Sequence, residues 1–253
     1  CLYDAPAVKG TFLYYVDNAT KKLKIAYTYE PLLRDGTIDS ECLQGLQATV
    51  ALLRDLGHDV VEASPPLDKK TLAEGYLLRI AAATAGEVLD SERILGRRMG
   101  MDDFETETWS LARLGQSFNA GDLDYANRQL YAQTRVFEQW MQQYDVFLTP
   151  TLAAPPVTFG EFHLKGIEKL LSPLAKRLPL GPLVHFLPVL SHLAAQSFQW
   201  VVSTPVMNIT GNPSVSLPLH WTKDNLPVGM MFTARYGDDA TLFSLAGQLE
   251  KAL

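Results

Sequence analysis

Apolar positions along the chain change their period from stretch to stretch. Residues 22–30, KLKIAYTYE, are rich in β-branched and aromatic side chains, which suits a strand. Leu43, Leu46, Val50 and Leu53 then recur at three- and four-residue spacing, with Asp39 and Ser40 in position to cap a helix and Gly57 in position to end it in a left-handed turn. HDVVEASPP follows as a second strand, stopped by Pro65-Pro66. Residues 22–66 therefore predict a βαβ unit, which crossover rules place in a parallel sheet. From Lys69 to about Tyr144 the pattern is almost continuously helical, with breaks near Gly100 and Gly121. Leu123, Ala126, Leu130, Phe137 and Met141 fall on one helical face, with Thr134 filling the gap. YDVFLTPTLAAPP predicts a buried strand emptying into a Pro-rich loop over 145–160. The Leu- and Pro-rich stretch 164–200 predicts a cap of helical pieces. Over 213–253, Val215, Leu217, Leu219 and Trp221 alternate with polar positions, as do Val228, Met230, Phe232 and Ala234. These are two strands of a hairpin, and Asp238 then caps a closing helix. Residues 1–20 show no period and predict an irregular arm. The fold class is α/β, a mixed β-sheet flanked by helices.

Composition excludes several kinds of partner. With 253 residues, 47% apolar content, 22 basic and 28 acidic residues, the chain can bury a core and has no positive excess to neutralise phosphates. Nucleic acid is not expected. Prolines at 173, 179, 182 and 188 interrupt the apolar stretch 164–200, so no bilayer span is expected there. Lys165, Lys169, Lys176 and Arg177 leave an amphipathic membrane contact as the alternative reading. Cys1 and Cys42 form neither a CxxC pair nor a ligand spacing, which fits a reducing cytoplasm. A first residue other than Met suggests a chain cut from something longer.

The residues show no evident reaction centre. Gly-x-Ser-x-Gly and clustered glycines are absent. Among His58, His163, His185, His192 and His220, only His185 and His192 share a predicted helix, and satisfied histidines account for them better than a metal. Asp102/Asp103 and Asp238/Asp239 stand where helices begin, so capping explains them more simply than acid–base work. No cofactor is implied.

The segment STPVMNITGNPSVSLPLHWTKDNLPVGMMFTARYGDDATLFSLAGQLE resembles the C-terminal part of the amidase signature family, in its bacterial branch of 6-aminohexanoate cyclic dimer hydrolase-like enzymes. Residues 21–66 and YDVFLTPTLAAPP resemble further segments of that family, in its order. The resemblance implies hydrolysis of amide C–N bonds by a Ser nucleophile, a bridging Ser and a Lys base in a Gly/Ser-rich segment. Such a segment is physically required, because several backbone N–H groups must gather around the oxyanion. The sequence has no Ser-Ser pair and no such run. The expectation is therefore a C-terminal portion lacking the catalytic part, inactive alone, and dependent on an upstream Ser/Lys-containing segment to act on a small-molecule amide. The resemblance further implies cleft-lining roles for Thr149, Pro150, Thr151 and Asn208. The alternative for Asn208 is a tight turn with Gly211. An exposed sheet edge, and with it homo-oligomerisation, is expected. A non-catalytic binding module that keeps the fold is the rival reading. An independent hydrolase with an unrecognised Ser/His/Asp arrangement is the third.

Overall fold

The computed structural model describes residues 6–8, 10–18, 21–33, 35–159 and 198–253. The helical cap expected over 164–200, with its basic residues, His163, His185 and His192, lies almost wholly outside them. Elements follow in the order α1 (Phe12–Asp17), β1 (Lys24–Tyr27), α2 (Ser40–Asp55), β2 (Asp59–Glu62), α3 (Lys69–Leu95), a 3₁₀ turn (Met101–Asp103), α4 (Thr106–Gly115), α5 (Ala120–Met141), β3 (Val146–Pro150), α6 (Thr204–Thr210), β4 (Ser214–Trp221), β5 (Pro227–Ala234) and α7 (Asp239–Ala252).

The chain divides into two compact units. The first comprises residues 1–69, 132–156 and 198–253; the second comprises 70–131 and 157–197. The first holds a five-stranded mixed sheet in the order β2-β1-β3-β5-β4. β1 is parallel to both β2 and β3, while β5 is antiparallel to β3 and β4. One face of the sheet presents Ile25, Tyr27, Val146, Leu148, Met230 and Phe232 to α2 and α7, where Leu46, Leu53, Leu245 and Leu249 complete a buried apolar layer. On the other face Phe147 packs edge-on against Trp140, at 5.0 Å between ring centres, and against Phe137 in the C-terminal part of α5.

Local signals explain the helix ends. The Asp39 carboxylate accepts the Glu41 N–H at 2.8 Å and starts α2, and Gly57, at φ 89°, turns the chain out of it. Asp238 accepts the Thr241 N–H to start α7. Gly45 lets α2 approach the sheet closely, since a Cβ there would lie 2.7 Å from Met230 Cε and 2.8 Å from His220 Cβ.

The second unit contains α3, α4 and the N-terminal part of α5. α3 and α4 cross at Gly115, where a Cβ would lie 1.9 Å from the Ala81 carbonyl oxygen. Arg97 grips Asp103 with two hydrogen bonds, and the Gly100 N–H donates to the same carboxylate at 2.8 Å; together these hold the Asp103 carboxyl at about 2. Capping, rather than acid–base chemistry, thus accounts for Asp103.

Two local expectations change. Residues 12–17, read as part of an irregular arm, form α1: Phe12 stacks on Phe243 at 4.6 Å, and Lys251 Nζ donates to the carbonyls of Val16 and Asp17. Six residues are too few to show a helical period, and the contact with α7 supplies the stability. The break expected near Gly121 is present just before it, at 116–119 between α4 and α5. The alternation of β4 fails near its end: Pro218 pairs with Gly229 but His220 pairs with Val228, so Leu219 is an extra residue and the strand changes face. Trp221, expected inward, is consequently 53% exposed.

Candidate functional site: a crevice at the carboxyl ends of β1 and β3

β1 connects through α2 to β2 on one side, while β3 lies against its other side, so the chain's winding reverses between β1 and β3. In open α/β sheets the loops that leave adjacent strands at such a point part from one another and leave a crevice at the strands' carboxyl ends. Here the loop after β1 and the loop after β3 flank a cavity of about 280 Å³, lined by Thr37, Asp39, Ala153, Ala154, Gln199 and Trp200. Main-chain hydrogen bonds fix its walls. The Asp39 N–H donates to the Ala153 carbonyl at 2.7 Å, the Ala153 N–H to the Trp200 carbonyl at 2.9 Å, and the Leu32 and Leu33 N–H groups both to the Val202 carbonyl at 3.0 Å. Three segments distant in sequence are thereby tied into one rim.

The four residues singled out from the resemblance lie around, not within, this lining. Thr149 and Pro150 are the last residues of β3 and are buried. The Thr149 hydroxyl has no hydrogen-bond partner among the described residues, nor has the buried Ser203 hydroxyl at the start of α6. Buried hydroxyls are normally satisfied, so each marks a place where a further polar group fits. Thr151 is two residues short of Ala153, and its hydroxyl bonds Ser216 Oγ at 2.6 Å. That bond passes over Gly229, where a Cβ would lie 2.5 Å from Ser216 Oγ and 2.7 Å from Thr151 Oγ1. Asn208 is exposed on α6 rather than in a turn. Gly211 alone makes the turn, at φ 80°, donating its N–H to the Met207 carbonyl at 2.8 Å. Sequence reasoning missed Thr37, Asp39, Gln199 and Trp200. The available signal was positional: Thr37 and Asp39 follow a predicted parallel strand, where crevices form.

Other reactive groups serve packing. Burial pushes the Cys42 thiol up to about 11, so it stays protonated and unreactive. His58 is buried, with Nδ1 accepting the Leu23 N–H at 3.1 Å, so its proton sits on Nε2 and is donated to Gln248 Oε1 at 3.2 Å. His220 Nε2 meets Glu41 Oε2 at 3.0 Å, joining β4 to α2. Among the described residues no three His, Cys, Asp or Glu side chains converge to hold a metal ion, and no helix is long and apolar enough to cross a membrane.

A mixed α/β sheet with a crevice at its switch point defines a ligand-handling class of fold, not a particular chemistry. Kinship narrows the class: residues 3–243 match the Amidase family model, and the chain belongs to that family. It is 29% identical over 237 residues to lipoamidase of Enterococcus faecalis, covering 89% of this chain and 31% of that protein. It is 26% identical over 256 residues to the 6-aminohexanoate-cyclic-dimer hydrolase of a Pseudomonas strain, covering 98% of this chain and 48% of that protein. The solved structure of 6-aminohexanoate cyclic dimer hydrolase superposes with a TM-score of 0.82 at 23% identity, over 99% of this chain and 49% of that one, which shows a shared fold. The chain thus spans about half or less of the length of these curated relatives.

Proposed function

We propose that the chain is the cleft-forming portion of an enzyme that hydrolyses amide C–N bonds, with the Ser/Ser/Lys machinery supplied by an upstream segment, covalently joined or separately folded, and no activity without it. The observation that carries this reading is the crevice, set by main-chain bonds at the switch point of a sheet that belongs to the Amidase family. In this reading Thr149, Pro150 and Thr151 form the floor between crevice and sheet, and Asn208 lies on the helix that follows the Trp200 wall. Tetrahedral oxyanions require gathered backbone donors, and none of the loops around the crevice has the glycine content for that. The setting is cytoplasmic, consistent with a free, buried Cys42.

The test is hydrolysis of 6-aminohexanoate cyclic dimer and of a simple aryl amide, first by the chain alone and then with the polypeptide encoded directly upstream of Cys1. No turnover alone and turnover on addition is the expected result; turnover by the chain alone refutes it. A non-catalytic binding module is the second reading, favoured by the Thr151 hydroxyl being committed to Ser216 rather than to a base. Ligand binding with no turnover in either arm would select it.

A further inference from the structure

We propose that the upstream segment seats on the face of β3, β5 and β4 turned away from α2 and α7, laying main chain on it and giving the Thr149 hydroxyl its hydrogen-bond partner. This rests on the proposed function, which supplies the occupant. Register assembles the face rung by rung: Thr149 pairs with Met231 and Met231 with Ser216, Thr233 pairs with Ser214, and Gly229 with Pro218. Met230 and Phe232 point into the apolar layer, so Met231, Thr233 and Gly229 face the other way, and their cross-strand partners with them. On this side α5 covers β3 at Phe147, whereas Ser214, Ser216 and Pro218 on β4 are exposed.

The chemistry of the face selects what can lie on it. The hydroxyls of Ser214 and Thr233 are 2.8 Å apart, and those of Ser216 and Thr151 2.6 Å. Within each pair one hydroxyl donates to the other, and the hydrogen of the second is left to donate outward. Between them the surface sinks to main chain at Gly229, and β4 adds only serines and a proline. Peptide carbonyls and N–H groups match such a surface, while a bulky apolar side chain would strip water from the hydroxyls and return no hydrogen bond. A Gly/Ser-rich segment brings its main chain that close without a side-chain clash. Thr149 supplies the independent sign that a polar group is owed here. It is 1% exposed, on the same face and rung as Ser216, and its hydroxyl has no hydrogen-bond partner among the described residues. In the solved structure of 6-aminohexanoate cyclic dimer hydrolase the shared fold takes up 49% of the chain, so about as much chain again accompanies it there.

The test compares the 253-residue chain with the same chain joined to the polypeptide encoded directly upstream of Cys1, both as Cys1→Ser. Ser216→Cys should react readily with a maleimide in the 253-residue chain and at least about tenfold more slowly in the joined one, while Lys223→Cys, in the β4–β5 turn, reacts equally in both. Thr149→Val keeps the side chain's shape and removes the hydroxyl. It should leave the melting temperature of the 253-residue chain unchanged or higher, and lower that of the joined chain by about 2 °C. Equal labelling of Ser216→Cys in the two chains overturns the proposal, as does a Thr149→Val variant that melts lower in the 253-residue chain or no lower in the joined one. Labelling that slows with the concentration of the 253-residue chain, and not on joining, assigns the face to a second copy and equally overturns it. Hydrolysis of 6-aminohexanoate cyclic dimer or an aryl amide by the joined chain separates the two readings: turnover without protection sinks only the docking, and protection without turnover sinks only the amidase reading.

Discussion

His58 shows how a single buried side chain couples folding to pH. Its Nδ1 must stay unprotonated to accept the Leu23 N–H, and burial lowers its pKa below the usual histidine value, the bond to Gln248 opposing only part of that shift. The unfolded chain therefore binds a proton more readily than the folded one. Stability from this site is fully present above the unfolded pKa of about 6.5 and drains away as pH falls from there toward the folded pKa. Thermal unfolding at pH 7.5 and at 5.5 should show a drop in melting temperature that shrinks in His58→Gln; an unchanged pH dependence in that variant would clear His58 of the effect. Gly229 is the second single-residue constraint. Gly229→Ala places a methyl group against the Thr151–Ser216 hydroxyl pair and should cost about 1–3 kcal/mol in denaturant unfolding, with Ser216→Ala in the same chain recovering part of the loss. A substitution without measurable cost would mean that the two hydroxyls move apart freely.

At the scale of elements, what the sequence disclosed was local and what it concealed was long-range. The caps at Asp39 and Asp238 and the stop at Gly57 were legible because each depends on a residue and its near neighbours. The parallel pairing of β1 with β2 was legible from the length of the crossover between them. Trp221 was misplaced because the bulge at Leu219 is fixed by cross-strand pairing with Val228 and Gly229, not by anything within β4. The bulge turns His220 toward Glu41 on α2. The crevice was hidden for a similar reason, since Thr37 and Asp39 meet Gln199 and Trp200 only once the Ala153 loop ties the segments together. Close helix crossing is equally silent in sequence. Gly115→Ala would drive a methyl group into the Ala81 carbonyl, a backbone atom that cannot rotate away, and should cost more than about 3 kcal/mol. If circular dichroism melts of that variant match the parent, α3 and α4 slide past one another at little cost.

At the scale of the molecule, the sheet ends on β4 among the described residues, and that edge carries Ser214, Ser216 and Pro218 exposed in alternation. Pro218 donates no N–H, and the bulge just beyond it breaks the ladder, so only Ser214–Leu217 remain competent to pair with another strand. Trp221 lies just beyond as an exposed apolar anchor. The proline and the bulge confine pairing to that short run, and its unpaired main chain beside the exposed Trp221 is where we expect the chain to self-associate when nothing else covers it. Light scattering across a concentration series should show a monomer–dimer equilibrium that Trp221→Glu shifts toward monomer. If the upstream segment completes the same sheet, adding it should dissolve the self-association as it restores hydrolysis, because one edge cannot serve two partners. A chain that stays monomeric at every concentration would remove the edge as an interface.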